Sequence, residues 1–244
     1  MEQLKKFMYG TRSTGYWDLQ KPTPKEFCMR APSKGAQREA NRGQQDIATR
    51  EQLLNAASEL MIERGVADLS LSELGTKSGL NASLVKYYFG NKAGLMLALL
   101  RKVLGPAMLQ LKHLAEMKLA PDVKLRIHIS GMIRIYFQYP YVNRLMHQLL
   151  ADDSVTFGHI LAQEFSTPVA EAQERILKEG VEAGIFRPID PLLFYFHTVG
   201  ACDQLFFGRY QLENVFGITT IDKELVDKFT DHLNSVVLNG IAKD

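Results

Sequence analysis

The sequence predicts an all-α protein, and two observations carry that prediction. Apolar residues recur at helical spacing from about residue 49 to the C-terminus, in segments separated by short Gly, Pro or Asp breaks. The same region contains no alternating run of β-branched residues long enough for a sheet. A chain of 244 residues is long enough for a small N-terminal domain joined to a larger helical one.

The charges of the chain are unevenly distributed. Residues 1–101 carry 15 Lys and Arg against 10 Asp and Glu, a net charge of +5, whereas residues 102–244 carry 14 against 17, a net charge of −3. A polyanion would bind at the basic end, although basic N-terminal segments also occur in proteins that never contact nucleic acid. Residues 1–45 have no sustained period and contain three prolines, so they are interpreted as a flexible basic tail in which Met29 is a second candidate start.

Neither a membrane span nor a metal site is expected. The longest apolar stretches fall far short of the roughly 20 residues of a spanning helix, and no secretory signal pattern opens the chain, which favours a cytoplasmic protein with no membrane partner. Cys28 and Cys202 lie far apart and fit no zinc motif. His128, His147 and His197 match no compact metal motif either, so the sequence predicts no metal and no cofactor.

The first helix of the N-terminal domain is predicted to begin near Thr49. Thr49 and Gln52 have the three-residue spacing of a capping box, and the apolar residues that follow form one face. Gly65 is expected to end this helix. A second helix is predicted to begin after Ser70 and to stop at Gly79.

The cap of the second helix and its buried side can also be read from the sequence. Glu73 stands three residues after Ser70, which is the spacing of a second capping box, and Leu71 and Leu74 are expected on the buried side. Asn81 is expected to cap a third helix over residues 82–88. Asn91 is expected to cap a fourth helix that runs to Gly105-Pro106 or beyond.

Two short helices joined by a turn around Gly79, following a longer helix, predict a helix-turn-helix motif. The second short helix would enter the major groove of DNA, which accepts one α-helix. Small residues there permit close approach, and hydroxyl groups and a cation suit bases and phosphates. The positions expected to be exposed on this helix are Ala82, Ser83, Lys86, Tyr87 and Tyr88.

Residues 53–95 read LLNAASELMIERGVADLSLSELGTKSGLNASLVKYYFGNKAGL and resemble the DNA-binding signature of the TetR family. The resemblance rests on the paired alanines Ala56-Ala57, Gly65 at the end of the first helix, Ser70 at the cap of the second, Gly79 in the turn, and the step from Phe89 to Lys92. It implies a transcriptional repressor that binds operator DNA as a homodimer and is released by a small-molecule effector.

By that resemblance, Ser70 and Thr49 offer hydrogen-bond donors to phosphate, and Lys92 holds the DNA backbone together with the N-terminal amides of the fourth helix. The candidates for groove contact are Asn81, Ser83, Lys86 and Tyr87, and Tyr88 is a further DNA-binding candidate on the same helix. Ser70 and Asn81 are also interpreted as plain helix caps. The family commonly has Tyr where this chain has Lys86, with Tyr87 following, so which of the two residues meets the backbone stays open.

The pattern beyond Leu100 predicts a helical bundle. The resemblance implies that this bundle holds the effector, for which a hydrophobic or amphipathic molecule is expected. The candidate lining residues are Met108, Met132, Tyr136, Met146, His147 and Phe165. Ordinary core packing is the alternative for each of them.

The last two predicted helices, Pro191 to about Gly208 and Asp222 to about Leu238, resemble the pair through which TetR-like proteins dimerise. Their apolar faces are wide enough to form an intersubunit four-helix bundle. The candidate dimerisation residues are Tyr195, Phe196, Val199, Phe206, Phe229, Leu233 and Val236. Cys202 lies on the first of these helices and is interpreted as a buried inert thiol, with a redox sensor as the alternative.

The predicted organisation is a tail over residues 1–45, a three-helix helix-turn-helix DNA-binding domain over residues 46–92, and an effector-binding and dimerisation domain over residues 93–244. Two recognition helices about 34–36 Å apart would fit successive major grooves of a palindromic operator. Activation instead of repression stays open. The alternative function is a helical protein-interaction adaptor with a degenerate helix-turn-helix, whereas an enzyme is not expected because no catalytic motif is present.

Overall fold

The computed structural model describes residues 34–64 and 69–243, with side chains from residue 43 onward. The chain divides into two units, residues 1–51 and 52–244, and the packing described below belongs to the second unit. The predicted tail up to residue 33, with Met29 and Cys28, lies outside the described residues, as does the predicted helix end at Gly65.

The described residues form the all-α fold that the sequence predicts. The helices are α1 (Lys34–Arg64), α2 (Leu71–Ser78), α3 (Ser83–Phe89), α4 (Lys92–Glu116), α5 (Pro121–Gln138), α6 (Val142–Asp152), α7 (Ser154–Leu161), α8 (Thr167–Glu182), α9 (Pro191–Phe207), α10 (Arg209–Phe216) and α11 (Lys223–Ile241). A π-helical turn, Ala162–Ser166, joins α7 to α8.

Helix α1 begins at Lys34, so the prediction of a start near Thr49, and of no regular structure through residue 45, is wrong for residues 34–45. Ala, Gln and Arg each occur three times in residues 34–50, and these residue types favour helix without forming an apolar period. Thr49 does not cap the helix, because its hydroxyl donates to the Gln45 carbonyl 2.8 Å away within it. Gln52 does not complete a capping box either, since its amide donates to the Ser78 carbonyl at 2.7 Å.

The predicted caps of α2 and α4 are confirmed. Ser70 Oγ accepts from the Glu73 amide at 3.2 Å and the Ser70 amide donates to the Glu73 carboxylate at 3.1 Å, which completes the capping box. Gly79 ends α2 in the left-handed conformation at φ 69°. Asn91 caps α4 by accepting from the Gly94 amide at 2.7 Å.

Two hydrophobic clusters organise residues 52–244. The first cluster is formed mainly by α1, α2, α3, α4 and α6, with Leu161 of α7 and Phe165, so the helix-turn-helix shares one continuous core with part of the C-terminal domain. The second cluster is formed mainly by α5, α8, α9 and α11. Tyr136 packs against both clusters and therefore lies where they meet.

Helix α4 is long and apolar enough in composition to cross a membrane, although 44% of its most apolar stretch is buried inside the protein. The residues from Leu95 to Leu100 are all buried in the first cluster. Core helices of globular proteins have the same composition, so this helix is explained by its packing. Pro106 lies inside α4, which continues past it to Glu116.

Helix α10 was not predicted. It occupies Arg209–Phe216 between the two helices that the sequence indicated near the C-terminus, and it has no buried residue. Gly217 ends it in the left-handed conformation at φ 69°. Without a buried face, α10 lacks the apolar period that identifies a packed helix.

Candidate DNA interface and effector domain

The turn between α2 and α3 is held by side chains on both sides. Ser78 Oγ accepts from the Leu80 amide at 3.3 Å and donates to the Leu74 carbonyl at 2.7 Å. The Gln52 amide of α1 donates to the Ser78 carbonyl. These bonds satisfy backbone groups that the left-handed residue Gly79 would otherwise leave unpaired.

Gly94 brings the start of α4 against the end of α3. A Cβ at this position would lie 2.0 Å from the Phe89 carbonyl oxygen, which is closer than any side chain can approach. Only glycine therefore allows this close contact between the two helices. The position of α3 is further fixed by Val85, which is buried in the first cluster.

Ion pairs join α1 to α2. Arg64 donates two hydrogen bonds to the Glu73 carboxylate, at 2.6 and 3.0 Å, and these bonds together with those from Ser70 lower the pKa of Glu73 to about 2. Lys77 lies 2.6 Å from Glu63 and 3.6 Å from Glu59, and the hydrogen bond to Glu63 raises the pKa of Lys77. Because these pairs are exposed, they orient the helices more than they stabilise the fold.

The solvent-facing side of α3 carries Ser83, Lys86 and Tyr87, all of them exposed, with Tyr87 at 68% of its surface. This placement agrees with the exposure expected of the three residues. Ala82 and Tyr88 are only half-exposed, because Tyr88 packs against the first cluster and stands edge-on to Tyr87 at 4.7 Å between ring centroids. The exposed part of α3 is therefore narrower than the sequence suggested.

Ser70 is the cap of α2, as expected. Asn81 Oδ1 accepts from the Ser83 amide at 2.9 Å, but the cap position of α3 is occupied by Ala82, so the prediction that Asn81 caps this helix is wrong by one residue. Lys92 is the first residue of α4 and is half-buried. The phosphate contacts expected of these residues and of Thr49 stay predictions.

The candidate effector residues lie in two places. Met108, Met146 and Phe165 belong to the first cluster, and Met132 packs against the second. The structure does not bring His147 into either cluster, because its ring is exposed and lies 6.3 Å from that of Phe207. The expectation that His147 lines an enclosed site is therefore not supported by its position.

Tyr136 faces helix α9 at the junction of the clusters. Its ring lies 6.1 Å from that of Phe206. Burial raises the pKa of the Tyr136 phenol above its ordinary range, and the nearby charge of Asp203 acts in the same direction. Burial also raises the pKa of the Cys202 thiol to about 12, which favours a buried, protonated thiol over a redox sensor.

A polar cluster inside the C-terminal domain was not identified from the sequence as a site. The amide nitrogen of Gln173 on α8 lies 3.0 Å from His128 Nε2 on α5 and 3.1 Å from Thr198 Oγ1 on α9. We call these three residues the polar trio. Burial lowers the pKa of His128 to about 4, whereas His147 and His197 are exposed. The three residues are 25 to 70 positions apart in the sequence, so no local sequence pattern indicated that they meet.

Two contacts connect the helix-turn-helix and α4 to the segments that follow, and a third joins α4 to α1. The Ser58 and Tyr141 hydroxyl oxygens lie 2.7 Å apart. Arg101 on α4 donates to both carboxylate oxygens of Glu164 in the π-helical turn, at 2.7 and 2.5 Å. Lys102 Nζ, also on α4, donates to the Asn55 side chain of α1 at 2.8 Å. Sequence reasoning missed all three, because the partners are 47 to 83 positions apart.

The candidate dimerisation residues divide between surface and core. Phe196 and Val236 are exposed, at 67% and 48% of their surface. Phe206 and Leu233 are buried in the second cluster, so assigning them to an open dimerisation face is wrong: they face the chain's own core. Tyr195, Val199 and Phe229 are half-buried.

Two family models match the chain. Residues 53–99 match the model described as bacterial regulatory proteins of the tetR family. Residues 118–244 match the model described as the tetracyclin repressor-like C-terminal domain. Together they cover the helix-turn-helix, the first part of α4 and all helices from α5 onward.

Relatives and solved structures agree with this assignment. The HTH-type transcriptional regulator RutR of Escherichia coli O157:H7 is 23% identical over 195 residues, which cover 80% of this chain and 91% of RutR. The fold is similar to the transcriptional regulator FadR of Bacillus subtilis in complex with stearoyl-CoA, with a TM-score of 0.60, 18% identity, and coverage of 78% of this chain and 98% of FadR. It is also similar to AibR in complex with isovaleryl coenzyme A and operator DNA, with a TM-score of 0.61, 16% identity, and coverage of 77% of this chain and 97% of AibR.

The matched regions and the helix-turn-helix geometry lead to one assignment. The TetR family is non-enzymatic, and its members bind operator DNA. The chain therefore belongs to the TetR family and is a DNA-binding transcriptional regulator.

Proposed function

We propose that this protein is a repressor that binds a palindromic operator as a homodimer and is released when a hydrophobic or amphipathic small molecule enters its C-terminal domain. The domain boundaries at residues 46–92 and 93–244 are part of this proposal. One observation carries the DNA-binding part of this proposal. Helix α3 exposes Ser83, Lys86 and Tyr87 to solvent, while Val85 on its other side is buried in the first cluster and holds the helix in place.

Each exposed residue of α3 has a chemistry suited to DNA. Lys86 supplies a cation for phosphate or for the acceptor edge of guanine, and Ser83 and Tyr87 supply hydroxyl groups. The cap at Asn91 and the amides at the start of α4 lie next to α3 in sequence, so Lys92 and these amides form a second contact with the DNA backbone. Asn81 and Tyr88 flank the proposed groove contacts.

Binding to the intergenic DNA upstream of the protein's own gene tests the DNA interface. Fluorescence anisotropy of a labelled duplex, with scrambled duplex as competitor, is expected to give specific binding that weakens steeply as salt rises, because cationic contacts release counterions. Lys86→Ala is expected to weaken binding by about tenfold or more. Lys112→Ala removes an exposed lysine on α4 outside the motif and serves as the matched control. Salt-independent binding, or equal effects of both variants, would support the adaptor function instead.

The dimer would form through α9 and α11. Leu192, Leu193 and Phe196 of α9 and Val236 of α11 are exposed apolar residues, between 48% and 67% accessible, on the two C-terminal helices. Burial of such a surface against its copy is a common solution in symmetric dimers. Half-buried Tyr195, Val199 and Phe229 would complete the interface.

Sedimentation velocity tests the dimer. Phe196→Glu is expected to convert the dimer to a monomer and to abolish tight operator binding, because both half-sites must be occupied together. Leu109→Glu places the same charge on an exposed leucine of α4, where 73% of the residue is accessible, and is expected to leave the dimer intact. A monomeric wild-type protein at micromolar concentration would reject this interface.

The effector would be held by Met108, Met132, Tyr136, Met146 and Phe165. All five pack in or against the hydrophobic clusters, and flexible methionines adapt to an apolar ligand. The similarity to FadR with stearoyl-CoA and to AibR with isovaleryl coenzyme A supports an acyl-CoA as the effector class to try first. His147, which is exposed, would contact only a part of the ligand that reaches the surface.

A release assay tests the effector. Stearoyl-CoA and isovaleryl-CoA would be titrated into the protein bound to its operator, with free coenzyme A as the control for the shared nucleotide part. We expect release by an acyl-CoA but not by coenzyme A. We also expect weaker release in Met132→Trp, because the larger side chain fills ligand space. Release by coenzyme A alone, or by no compound with an acyl chain, would count against this effector class.

A further inference from the structure

The polar trio lies deep inside the protein, among apolar helices. His128, Gln173 and Thr198 have accessible fractions of 5%, 0% and 0%. They come from three different helices, α5, α8 and α9, so they meet only in the folded protein. Buried polar side chains normally satisfy every hydrogen-bonding atom, since an unsatisfied one is costly.

One atom of the polar trio departs from that rule. Gln173 Oε1 is buried and accepts no hydrogen bond from any residue that the structure describes. When His128 is the Nδ1–H tautomer, its Nε2 accepts one amide hydrogen of Gln173, and Thr198 Oγ1 accepts the other. The Thr198 hydroxyl in turn donates to the Phe194 carbonyl at 2.9 Å.

The unsatisfied atom is an acceptor for a definite reason. If the Gln173 amide were turned over, its oxygen would face both His128 Nε2, at 3.0 Å, and Thr198 Oγ1, at 3.1 Å. In the Nδ1–H tautomer of His128, Nε2 is an acceptor, and the Thr198 hydroxyl donates to the Phe194 carbonyl. The turned-over oxygen would then face two acceptors without a hydrogen between them. The observed orientation avoids this, and it leaves Oε1 ready to accept.

The surroundings of the trio select an uncharged donor. Burial keeps His128 neutral by lowering its pKa to about 4, and Gln173 and Thr198 carry no charge. Lys124, one turn before His128 on α5, is already paired with Glu179 at 2.6 Å. An ammonium group at the trio would therefore be buried without a counter-charge, which is strongly unfavourable, whereas a hydroxyl or amide N–H would not.

The trio also lies in line with the proposed effector residues. His128, Met132 and Tyr136 are spaced four residues apart on α5, and such residues share one face of a helix. Thr198 and Phe206 are two turns apart on the buried side of α9, and Phe206 packs beside Tyr136. A ligand lying along Met132 would thus have an aromatic end at Tyr136 and a polar end at the trio.

We propose that the polar trio recognises an uncharged hydroxyl or amide N–H group of a small ligand, which donates a hydrogen bond to Gln173 Oε1. The inference rests on the proposed function in one respect: it takes the ligand site to be in the C-terminal domain. It adds the chemical class of the group that the ligand must carry, namely a neutral donor on an apolar body.

Matched pairs of small probes test the proposal in the absence of DNA. Calorimetric titration would compare 1-octanol with its isomer 1-methoxyheptane, and octanamide with N,N-dimethylhexanamide, together with shorter and longer homologues. Each pair has the same size, but only the first member has a hydrogen-bond donor. The wild-type protein is expected to bind the donor of at least one pair about tenfold more tightly than its isomer.

Variants separate recognition from structure. Gln173→Leu, and Gln173→Met should the first variant fail to fold, are expected to bring the two members of the pair within about twofold of each other. Gln163→Leu removes an exposed glutamine from the π-helical turn and should keep the wild-type preference. A preference that survives in Gln173→Leu, or no preference in any pair, would overturn the proposal.

The result is distinguishable from a failure of the proposed function. Donor preference that depends on Gln173, without release of DNA by any ligand, would support the site and reject effector control. In the opposite case, an acyl-CoA would release DNA at the same concentration from wild type and from Gln173→Leu, and neither protein would prefer the donor of any pair. That result would support effector control and reject ligand recognition by the polar trio.

Discussion

The hydroxyl groups of Ser58 and Tyr141 share a hydrogen bond of 2.7 Å, which ties α1 of the helix-turn-helix to the residue that precedes α6. Tyr141 is fully buried and Ser58 is half-buried. Burial raises the pKa of Tyr141 to about 12, so the phenol keeps its proton. The bond therefore connects the DNA-reading part of the chain directly to the C-terminal domain, in addition to the continuous helix α4.

Removing this bond is expected to weaken effector control more than DNA binding. Tyr141→Phe keeps the ring in the first cluster and should lower the free energy of unfolding by about 1 kcal/mol. Operator affinity without effector should change by less than about threefold, while the effector-induced loss of affinity should shrink, because coupling free energies are typically about 1–3 kcal/mol. Anisotropy titrations with and without effector measure both quantities.

Tyr139→Phe is the matched control for this prediction, since it removes a hydroxyl from a half-buried tyrosine two residues away. An equal loss of effector response in both variants would mean that the Ser58–Tyr141 bond has no special part in coupling.

The pair formed by Arg101 and Glu164 is expected to act as a second link. It joins α4 to the π-helical turn through two hydrogen bonds, and the hydrogen bond from Arg101 lowers the pKa of Glu164. Arg101→Glu should cost less than about 1 kcal/mol of stability because the pair is partly exposed, but it should reduce the effector response. Adding Glu164→Arg should restore the response by rebuilding the pair with reversed charges. A double variant no better than Arg101→Glu would show that the pair does not transmit the effector signal.

The capping box at Ser70 is expected to stabilise the helix-turn-helix. Ser70→Ala removes the acceptor of the Glu73 amide and should lower the free energy of unfolding by about 1 kcal/mol, measured by urea titration. Ser72→Ala, on an exposed serine of the same helix, should have a much smaller effect. If Ser70→Ala also weakens operator binding well beyond what its lost stability explains, then the phosphate contact of Ser70 is supported as well.

The pH dependence of stability should report on His128. Burial holds its pKa near 4 in the folded protein, below the ordinary 6.5 expected after unfolding. Because the unfolded state binds the proton more readily, the stability contributed by neutral His128 is complete above about pH 6.5 and is lost as the pH falls toward 4. Between pH 7 and 4, the wild type should lose roughly 2–3 kcal/mol more than His128→Leu, in which this group does not titrate. Parallel stability curves for the two proteins would contradict the assignment.

Local signals explain which parts of the fold were predictable from the sequence. The caps of α2 and α4 were predicted because Ser70, Glu73 and Asn91 act on residues within the next turn. The start of α1 was not predicted, because residues 34–48 are mostly polar and form no apolar face. Leu71 was expected on the buried side of α2 but is 38% exposed, since an eight-residue helix leaves its first turn open.

Tertiary packing decided the parts that the sequence left undetermined. Helices α9 and α11 are apolar on more than one side, so the pattern did not separate Phe206 and Leu233, which face the core, from Phe196 and Val236, which face outward. His128 is one member of a cluster whose other members lie on distant helices. Such arrangements depend on the relative placement of whole helices, about which periodicity carries no information.

The measurement that tests the central claim most directly is selection of DNA by the purified protein from a random duplex pool, followed by footprinting of the selected sequence. The account predicts a palindrome whose two half-sites are protected about one helical turn apart, roughly 34–36 Å, with protection lost in Lys86→Ala and kept in Lys112→Ala. Recovery of sequences without a shared palindrome, or protection that is unchanged in Lys86→Ala, would contradict operator recognition through α3.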